Sequence, residues 1–310
     1  MTDIILRTVL PIVLLISLGY LSRHIKVLKQ GDERVFSAYV YYFALPAFFL
    51  ANISGLSITR EVFGFIASAV LPTFVALAAY LAAFIIFRFN RGFLFKLILS
   101  TIFGSYAFFG IPFILFAFPG DQGERLAALS SSVMAMASVA VSITLLEVYK
   151  HRSEKIVRAA GKVAKSLFKN PLILSVVAAF VLSFLNAQLP KPLDSTLHML
   201  GNTTSTVAIF MLGVFLYGRR YEHLAEGFLL ALPRIFILPL IAVLSAWLFG
   251  IQGLERTVIV MMSAMPVAIS SIVLSERYDF YKETIASLIL FSSLGAIIYL
   301  PVWLLIIGTR

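Results

Sequence analysis

Residues 108–116 read FFGIPFILF, and two helix-breaking residues, Gly110 and Pro112, stand in the middle of this apolar run. Similar apolar runs of about 20 residues, the length that crosses a bilayer as a helix, recur along the chain. Hydrophobic residues make up 60% of the 310 positions, whereas soluble domains carry roughly 45–50%. The sequence therefore predicts an all-α polytopic membrane protein with a broken helix in one of its spans.

Ten membrane-spanning segments are predicted from these runs and numbered in chain order. Their ranges are 4–22, 35–51, 62–87, 94–118, 126–148, 170–188, 202–217, 228–249, 256–275 and 284–307. The polar cluster 202–206 is interpreted as the entry to segment 7. Two arginines within or near segment ends, Arg7 and Arg234, are expected to extend their charges to the membrane surface.

The distribution of basic residues predicts the orientation. The connections after segments 1, 3, 5, 7 and 9 hold 18 of the 25 Lys and Arg residues. Since basic residues concentrate in cytoplasmic loops, we expect a multi-pass protein of the cell membrane with both termini outside. The net charge of +10 is explained by these loops, so it does not indicate a nucleic-acid partner.

The basic stretch 150–169 is the longest polar part of the chain and divides it into residues 1–149 and 170–310. It is predicted to be cytoplasmic, either as an amphipathic helix on anionic lipid or, less simply, as a regulatory surface. Each half holds five segments, and an odd number forces the halves into opposite orientations. The sequence therefore predicts two inverted five-helix repeats, a plan found in many transporters.

The two halves carry matching helix breaks. Segment 4 contains GSYAFFGIPF (104–113), and segment 9 contains SAMPVAISS (263–271). Unpaired backbone in hydrocarbon costs several kcal/mol per group, so a break survives as a simple kink satisfied by hydroxyls, or beside a polar cavity. Since both halves carry a break flanked by hydroxyls, we favour the second reading, with the breaks at residues 110–112 and 266–268.

A half-helix that starts after a break carries about +0.5 charge at its N-terminus. Two such ends near the membrane midplane would attract a carboxylate without any Lys or Arg, and we expect none there. The predicted substrate-binding residues are Ser105, Gly110, Pro112, Ser263, Pro266, Ala268 and Ser270, with Asn52 as either a helix cap or a further ligand.

Several chemistries are not expected. The chain has no cysteine, and its four histidines show no metal-binding spacing, so neither a metal nor a cofactor is predicted. No His, Lys or Asp lies at the depth of the serines, which argues against an intramembrane enzyme. No midplane Asp or Glu offers a proton relay, because Glu147, Glu255 and Glu276 lie near segment ends.

Six stretches in the same order resemble the auxin efflux carrier family, which includes bacterial malate and malonate permeases and plant auxin exporters. They are ALPAFFLANIS (44–54), GSYAFFGIPF (104–113), NP (170–171), MLGVFLYG (211–218), AMPVAISSIVLSERYD (264–279) and LPVW (300–303). This chain has Ser105 and Ala107 where the family often has Asn and Gly, so the polarity of its substrate is expected to differ.

The resemblance implies crossed broken helices 4 and 9 within the inverted repeats, a fold plan shared with bile-acid symporters. It also implies a scaffold of helices 1, 2, 6 and 7, a transport domain of helices 3–5 and 8–10, and a homodimer. The implied activity is elevator-type alternating access for small organic anions.

The leading functional hypothesis is a secondary transporter of carboxylates such as malate, malonate or auxin-like acids, working in the direction of efflux. An inside-negative potential of 100 mV favours export of one negative charge by about 2.3 kcal/mol. The alternatives are a sodium-coupled symporter of the bile-acid type, and a channel or sensor on the same fold. Sodium dependence separates the first alternative, and saturable counterflow separates a carrier from a channel.

Overall fold

A computed structural model describes residues 2–57, 59–150, 170–218 and 221–308 of the chain. The α-helices are α1 Thr2–His24, α2 Glu33–Tyr39, α3 Leu45–Ile53, α4 Arg60–Phe87, α5 Arg91–Ile102, α6 Ile111–Ala117, α7 Asp121–Lys150, α8 Pro171–Phe184, α9 Lys191–Leu216, α10 Leu224–Leu232, α11 Leu238–Leu248, α12 Gly253–Ser263, α13 Ser271–Tyr278 and α14 Lys282–Ile307. Three π-helical turns, Val40–Ala44, Tyr106–Gly110 and Pro233–Ile237, join α2 to α3, lead into α6 and join α10 to α11.

The predicted all-α class is confirmed, and helix occupies each of the ten predicted segments. Among the described residues, seven helical stretches are long and apolar enough to cross a membrane by length and composition, and the shorter stretches Tyr106–Ala117 and Pro171–Phe184 are also apolar. The chain is therefore a polytopic helical membrane protein. The count of ten spans and their inverted repeat stay predictions. The basic stretch 150–169 lies outside the described residues except for Lys150.

Segment 7 begins earlier than predicted. Its helix, α9, starts at Lys191 rather than at residue 202. The polar cluster 202–206 therefore lies inside the helix rather than at its start, and its interpretation as the polar entry stays a prediction. The Thr203 hydroxyl donates to the carbonyl oxygen of Leu200 at 2.6 Å, and its oxygen lies 2.9 Å from the Tyr39 hydroxyl. Hydroxyls bonded in this way are tolerated in a helix interior. The polar composition of residues 202–206 alone does not show that they lie inside a helix.

The described chain divides into two compact units. The first comprises the described residues of Met1–Phe63, Tyr106–Ser132 and Lys169–Arg219, and the second those of Gly64–Ser105, Val133–Phe168 and Arg220–Arg310. Segments 1, 2, 6 and 7 belong to the first unit. Segments 8, 9, 10 and nearly all of segment 3 belong to the second, while segments 4 and 5 contribute to both.

In the first unit, α1 and α9 pack backbone to backbone at two glycines. A Cβ atom added at Gly19 would lie 2.0 Å from the carbonyl oxygen of Phe210, and one added at Gly213 would lie 2.0 Å from that of Ile16. Small residues allow such close approach between membrane helices. This contact is reciprocal, because each helix presents a glycine to a carbonyl of the other.

In the second unit, polar side chains join helices through hydrogen bonds to backbone carbonyls. The Ser245 hydroxyl of α11 donates to the carbonyl oxygen of Ser68 in α4 at 2.8 Å. The Trp303 indole N–H of α14 donates to the carbonyl oxygen of Ile235 at 2.8 Å, in the π-helical turn of segment 8. A carbonyl in a π-helical or kinked stretch gains a partner in this way.

Asparagine caps start one helix in each unit. The Asn90 side chain accepts a hydrogen bond from the backbone N–H of Gly92 at the start of α5, and Asn170 accepts one from Leu172 at the start of α8. Each satisfies an N–H group that has no partner inside the helix.

Candidate functional site

The predicted interruption of segment 9 lies where the sequence indicates it. Helix α12 ends at Ser263 and α13 begins at Ser271, so Pro266 and Ala268 lie in a non-helical stretch between them. Proline cannot donate the hydrogen bond that a continuous helix needs at this position. This stretch belongs to the second unit.

The interruption of segment 4 lies upstream of the predicted one. Helix α5 ends at Ile102, and the non-helical residues are 103–105 rather than 110–112. Gly110 has helical backbone angles, φ −65° and ψ −48°, and Pro112 lies in the first turn of α6. The placement of this break at Gly110 and Pro112 is therefore wrong, because the π-helical turn Tyr106–Gly110 runs directly into α6 and both residues lie inside a continuous helical stretch. Membrane helices tolerate such a proline, because local π-helical adjustment accommodates its missing N–H.

The two interrupted stretches run antiparallel and pair with each other inside the second unit. The backbone N–H of Ser105 donates to the carbonyl oxygen of Pro266 at 2.8 Å, and that of Ala268 donates to the carbonyl oxygen of Phe103 at 2.9 Å. These two bonds bracket the β-bridge between Gly104 and Val267. We call residues 103–105 and 266–268 the crossing strands. Their pairing explains how broken backbone is satisfied in the interior of a membrane protein.

A serine of segment 10 supports the crossing strands. The backbone N–H of Val267 donates to the Ser292 hydroxyl oxygen at 3.2 Å, and Ser292 is fully buried. The Tyr299 hydroxyl donates to the carbonyl oxygen of Ser292 at 3.3 Å. Segment 10 carries several serines, Ser287, Ser292 and Ser293, and nothing in their spacing marks which one faces a strand.

The serines predicted to bind substrate differ in what the structure leaves them to do. Ser105 is buried, at 4% exposure, and belongs to a crossing strand. The Ser263 hydroxyl donates to the carbonyl oxygen of Ile259, four residues earlier, at 2.9 Å. A hydroxyl has a single proton to donate, so Ser263 offers an anion no donor in this arrangement. Ser270 is exposed and directly precedes the N-terminus of α13.

The remaining predicted residues belong to the first unit. Gly110 and Pro112 are buried in the helical stretch that spans the π-helical turn and α6. Asn52 is 7% exposed, and its side-chain N–H donates to the carbonyl oxygen of Phe48, one turn earlier in α3, at 3.0 Å. This bond joins Asn52 to the preceding turn of α3 rather than capping the helix end, and it uses one of the two side-chain N–H groups, so the reading of Asn52 as a ligand stays a prediction.

Arg234 occupies a position opposite to the predicted one. From the sequence we expected Arg234 to extend its charge to the membrane surface and no Lys or Arg to lie near the two helix breaks. Both expectations are wrong. Arg234 is the eleventh of the 25 helical residues Leu224–Leu248, and its exposure is 0%. Its Nε donates to the carbonyl oxygen of Met265, and its Nη1 donates to that of Thr101.

These contacts put the guanidinium beside both crossing strands. Met265 directly precedes Pro266, and Thr101 lies two residues before Phe103. The Tyr80 hydroxyl lies 3.0 Å from the hydroxyl oxygen of Thr101 and extends the same polar cluster. The available signal was the stretch LPRIFILP (232–239), in which an arginine stands alone in an apolar run. An ionisable residue within a membrane segment is a functional candidate by default.

Among the residues that the structure describes, no three His, Asp or Glu side chains come together as a metal site would require. The polar groups that converge at the crossing strands are hydroxyls, backbone amides and one guanidinium. Guanidinium and hydroxyl groups donate hydrogen bonds to anions.

Comparisons with known proteins agree on one class. The sequence model of a family described as "Membrane transport protein" matches residues 4–304. A protein of Methanocaldococcus jannaschii named as an uncharacterized transporter is 25% identical over 309 residues, which cover 95% of this chain and 96% of the relative. The Escherichia coli uncharacterized transporter YfdV is 25% identical, with 95% of each chain covered. A Rhizobium meliloti protein named "Putative malonate transporter" is 25% identical over 92% of this chain and 90% of its own.

Proposed function

We propose that this chain, which belongs to the membrane transport protein family, is a secondary carrier of small organic anions. The family match over residues 4–304 confirms the resemblance to auxin efflux carriers and makes the chain a membrane transporter. The name of the Rhizobium meliloti relative supports a carboxylate such as malonate as the substrate. The single observation of this chain's own structure that carries the proposal is the pairing of the crossing strands.

The crossing strands are a costly arrangement that a purely structural helix would avoid. Each strand gives up the intrahelical hydrogen bonds of a continuous helix, and in return the pair makes two interstrand bonds. Transporters place their substrates at discontinuous helices of this kind, where polar backbone and helix ends meet. In this proposal the contact residues of the second unit are Ser105, Pro266, Ala268 and Ser270.

The two compact units suggest how substrate would cross. We assign the second unit the role of the transport domain and the first unit the role of the scaffold, in a homodimer with both termini outside. Gly110, Pro112 and Asn52 belong to the first unit and stay predicted substrate-binding residues. Movement of the second unit as one body would expose the crossing strands to each side in turn.

Counterflow in reconstituted vesicles tests the proposal. Purified protein in vesicles loaded with unlabelled malonate should accumulate external radiolabelled malonate in a saturable manner, without any ion gradient. Malate, indole acetate and a bile acid serve as competitors, each with and without sodium. An absolute sodium requirement would replace the proposal with a symporter, and flux without counterflow would replace it with a channel.

Pro266→Ala tests the site within the same assay. Alanine restores the missing N–H and removes a residue that disfavours a continuous helix by about 3 kcal/mol. We expect counterflow to fall by about tenfold or more with unchanged yield. Pro301→Ala is the matched control, because Pro301 lies within the continuous helix α14 of the same unit, and it should retain transport. Equal counterflow by both variants would exclude the crossing strands as the site.

A further inference from the structure

The buried arginine of segment 8 is a charge that the proposed binding residues do not account for. Arg234 lies midway along the helical stretch Leu224–Leu248 and is completely enclosed by protein. Arginine keeps its proton under all physiological conditions. A permanent positive charge is therefore held in the interior of the second unit, next to the crossing strands.

The carbonyls of Thr101 and Met265, which accept from Arg234, lie beside the C-terminal ends of the two interrupted helices. Thr101 is in the last turn of α5, and Met265 is two residues beyond the end of α12. The carbonyls at a helix C-terminus carry partial negative charge, and a cation there is favourable. The planar fork of the guanidinium allows one side chain to reach both carbonyls. Arg234 thus braces the point at which both helices stop.

A brace alone does not require a full charge. The acceptors at Thr101 and Met265 are neutral carbonyls, and in this unit Trp303 and Ser245 make comparable bonds to carbonyls with neutral side chains. In a poorly polarisable interior, a unit charge acts over many ångströms. The Tyr80 hydroxyl of segment 3 lies 3.0 Å from the hydroxyl oxygen of Thr101, whose carbonyl oxygen accepts from Arg234, so the charge acts on the polar cluster beside the crossing strands.

We propose that Arg234 is a specificity-determining residue that selects anions at the crossing strands. This inference rests on the proposed carrier function and names the origin of its charge preference. The guanidinium raises the positive potential at the strands for any small anion, and the N-terminal end of α13 adds partial charge of the same sign. A neutral molecule of the same shape gains nothing from either.

Two substitutions separate the charge from the brace. Arg234→Gln removes the charge and keeps a planar donor, while Arg234→Lys keeps the charge and loses the two-pronged fork. The probe is malonate, titrated calorimetrically into purified protein in detergent. We expect R234Q to raise the Kd for malonate by on the order of tenfold or more and R234K to raise it far less. R234K should instead lower the counterflow rate, because an ammonium does not hold both carbonyls.

Arg256→Gln is the matched control. Arg256 belongs to the same unit and is partly exposed at the start of α12, so solvent screens its charge. Its loss should leave the Kd for malonate within about twofold of the wild type. If R234Q binds malonate as tightly as R256Q does, the inference is overturned.

The wild-type protein supplies a measurement that does not depend on the folding of a variant. Malonamide has nearly the shape of malonate but no charge, and we expect its Kd to be at least about tenfold higher. Equal Kd values for the two compounds would overturn the charge selection. Loss of malonate affinity in R234K as large as in R234Q would assign the effect to the brace and also overturn it. Failure of the wild type to bind malonate, malate or any other carboxylate would instead refute the carrier function.

Discussion

The α1–α9 contact of the first unit and the crossing strands of the second unit are held together by different means. In the first unit, α1 and α9 meet through Gly19 and Gly213, with backbone against backbone. In the second unit, the crossing strands are surrounded by hydrogen-bonding side chains, among them Arg234 and Ser292. Glycine contacts gain packing and leave no polar group to satisfy, whereas buried polar groups are tolerated only when each has a partner. The polar interior therefore marks where the chain departs from simple helix packing.

Substitution at the glycine contact should have the largest effect and would show that the first unit depends on shape. In Gly213→Ala the new Cβ would lie 2.0 Å from the carbonyl oxygen of Ile16, so α1 and α9 have to separate. We expect a loss of about 3 kcal/mol in stability, measured as thermal unfolding in detergent. Gly55→Ala is the control, because no atom lies within 4 Å of its added Cβ. Equal unfolding temperatures would show that this contact is not close-packed.

Removal of a hydroxyl from the second unit should have an intermediate effect and would show that this unit depends on polar partners. Ser292→Ala leaves the N–H of Val267 without its acceptor, and an unsatisfied buried group costs roughly 1–3 kcal/mol. Ser293→Ala, one residue along the same helix and equally buried at 1% exposure, is the matched control. We expect Ser292→Ala to lower both the unfolding temperature and malonate counterflow more than Ser293→Ala does. A larger effect of Ser293→Ala than of Ser292→Ala would show that the Ser292 hydroxyl does not support the crossing strand 266–268.

The helix caps should have the smallest effect and should not distinguish the units. Asn90→Ala in the second unit and Asn170→Ala in the first each remove one side-chain acceptor from a helix start. Both should lower stability by about 1 kcal/mol, read from the same thermal unfolding. A large difference between the stability losses of the two variants would show that a helix cap contributes differently in the two units. Differences between the units would then not be limited to the contacts in their interiors.

The helical class and the position of nearly every segment could be predicted, because long apolar runs leave few alternatives to a membrane-spanning helix. The break at Pro266 was predictable for a similar reason, since proline in a helix interior removes a hydrogen bond. The break in segment 4 was not. Gly110 and Pro112 are the helix-breaking pair of that segment, but the residue that forms the bridge with Val267 is Gly104, and only this pairing locates the break.

Arg234 shows where one-dimensional reasoning failed in the candidate site. An arginine seven residues into a predicted segment is compatible with a side chain that extends to the surface. What holds it inside is a pair of carbonyls 133 and 31 residues away in the chain. These acceptors exist only because both helices stop beside it. No spacing pattern in the sequence shows that both interrupted helices end beside Arg234. The candidate site could therefore be located approximately from the sequence, but Arg234 could not be assigned to it.

The reciprocal glycine contact also limits how α1 and α9 can slide. A displacement by one helical turn, about 5.4 Å, would bring Leu15 or Arg23 to the place of Gly19, and Ile209 or Tyr217 to the place of Gly213. Each of these side chains would collide with a carbonyl, so the register of the two helices is fixed in both directions. Shear along this seam is therefore forbidden, and a cross-link between the two helices should leave the working cycle of the protein intact.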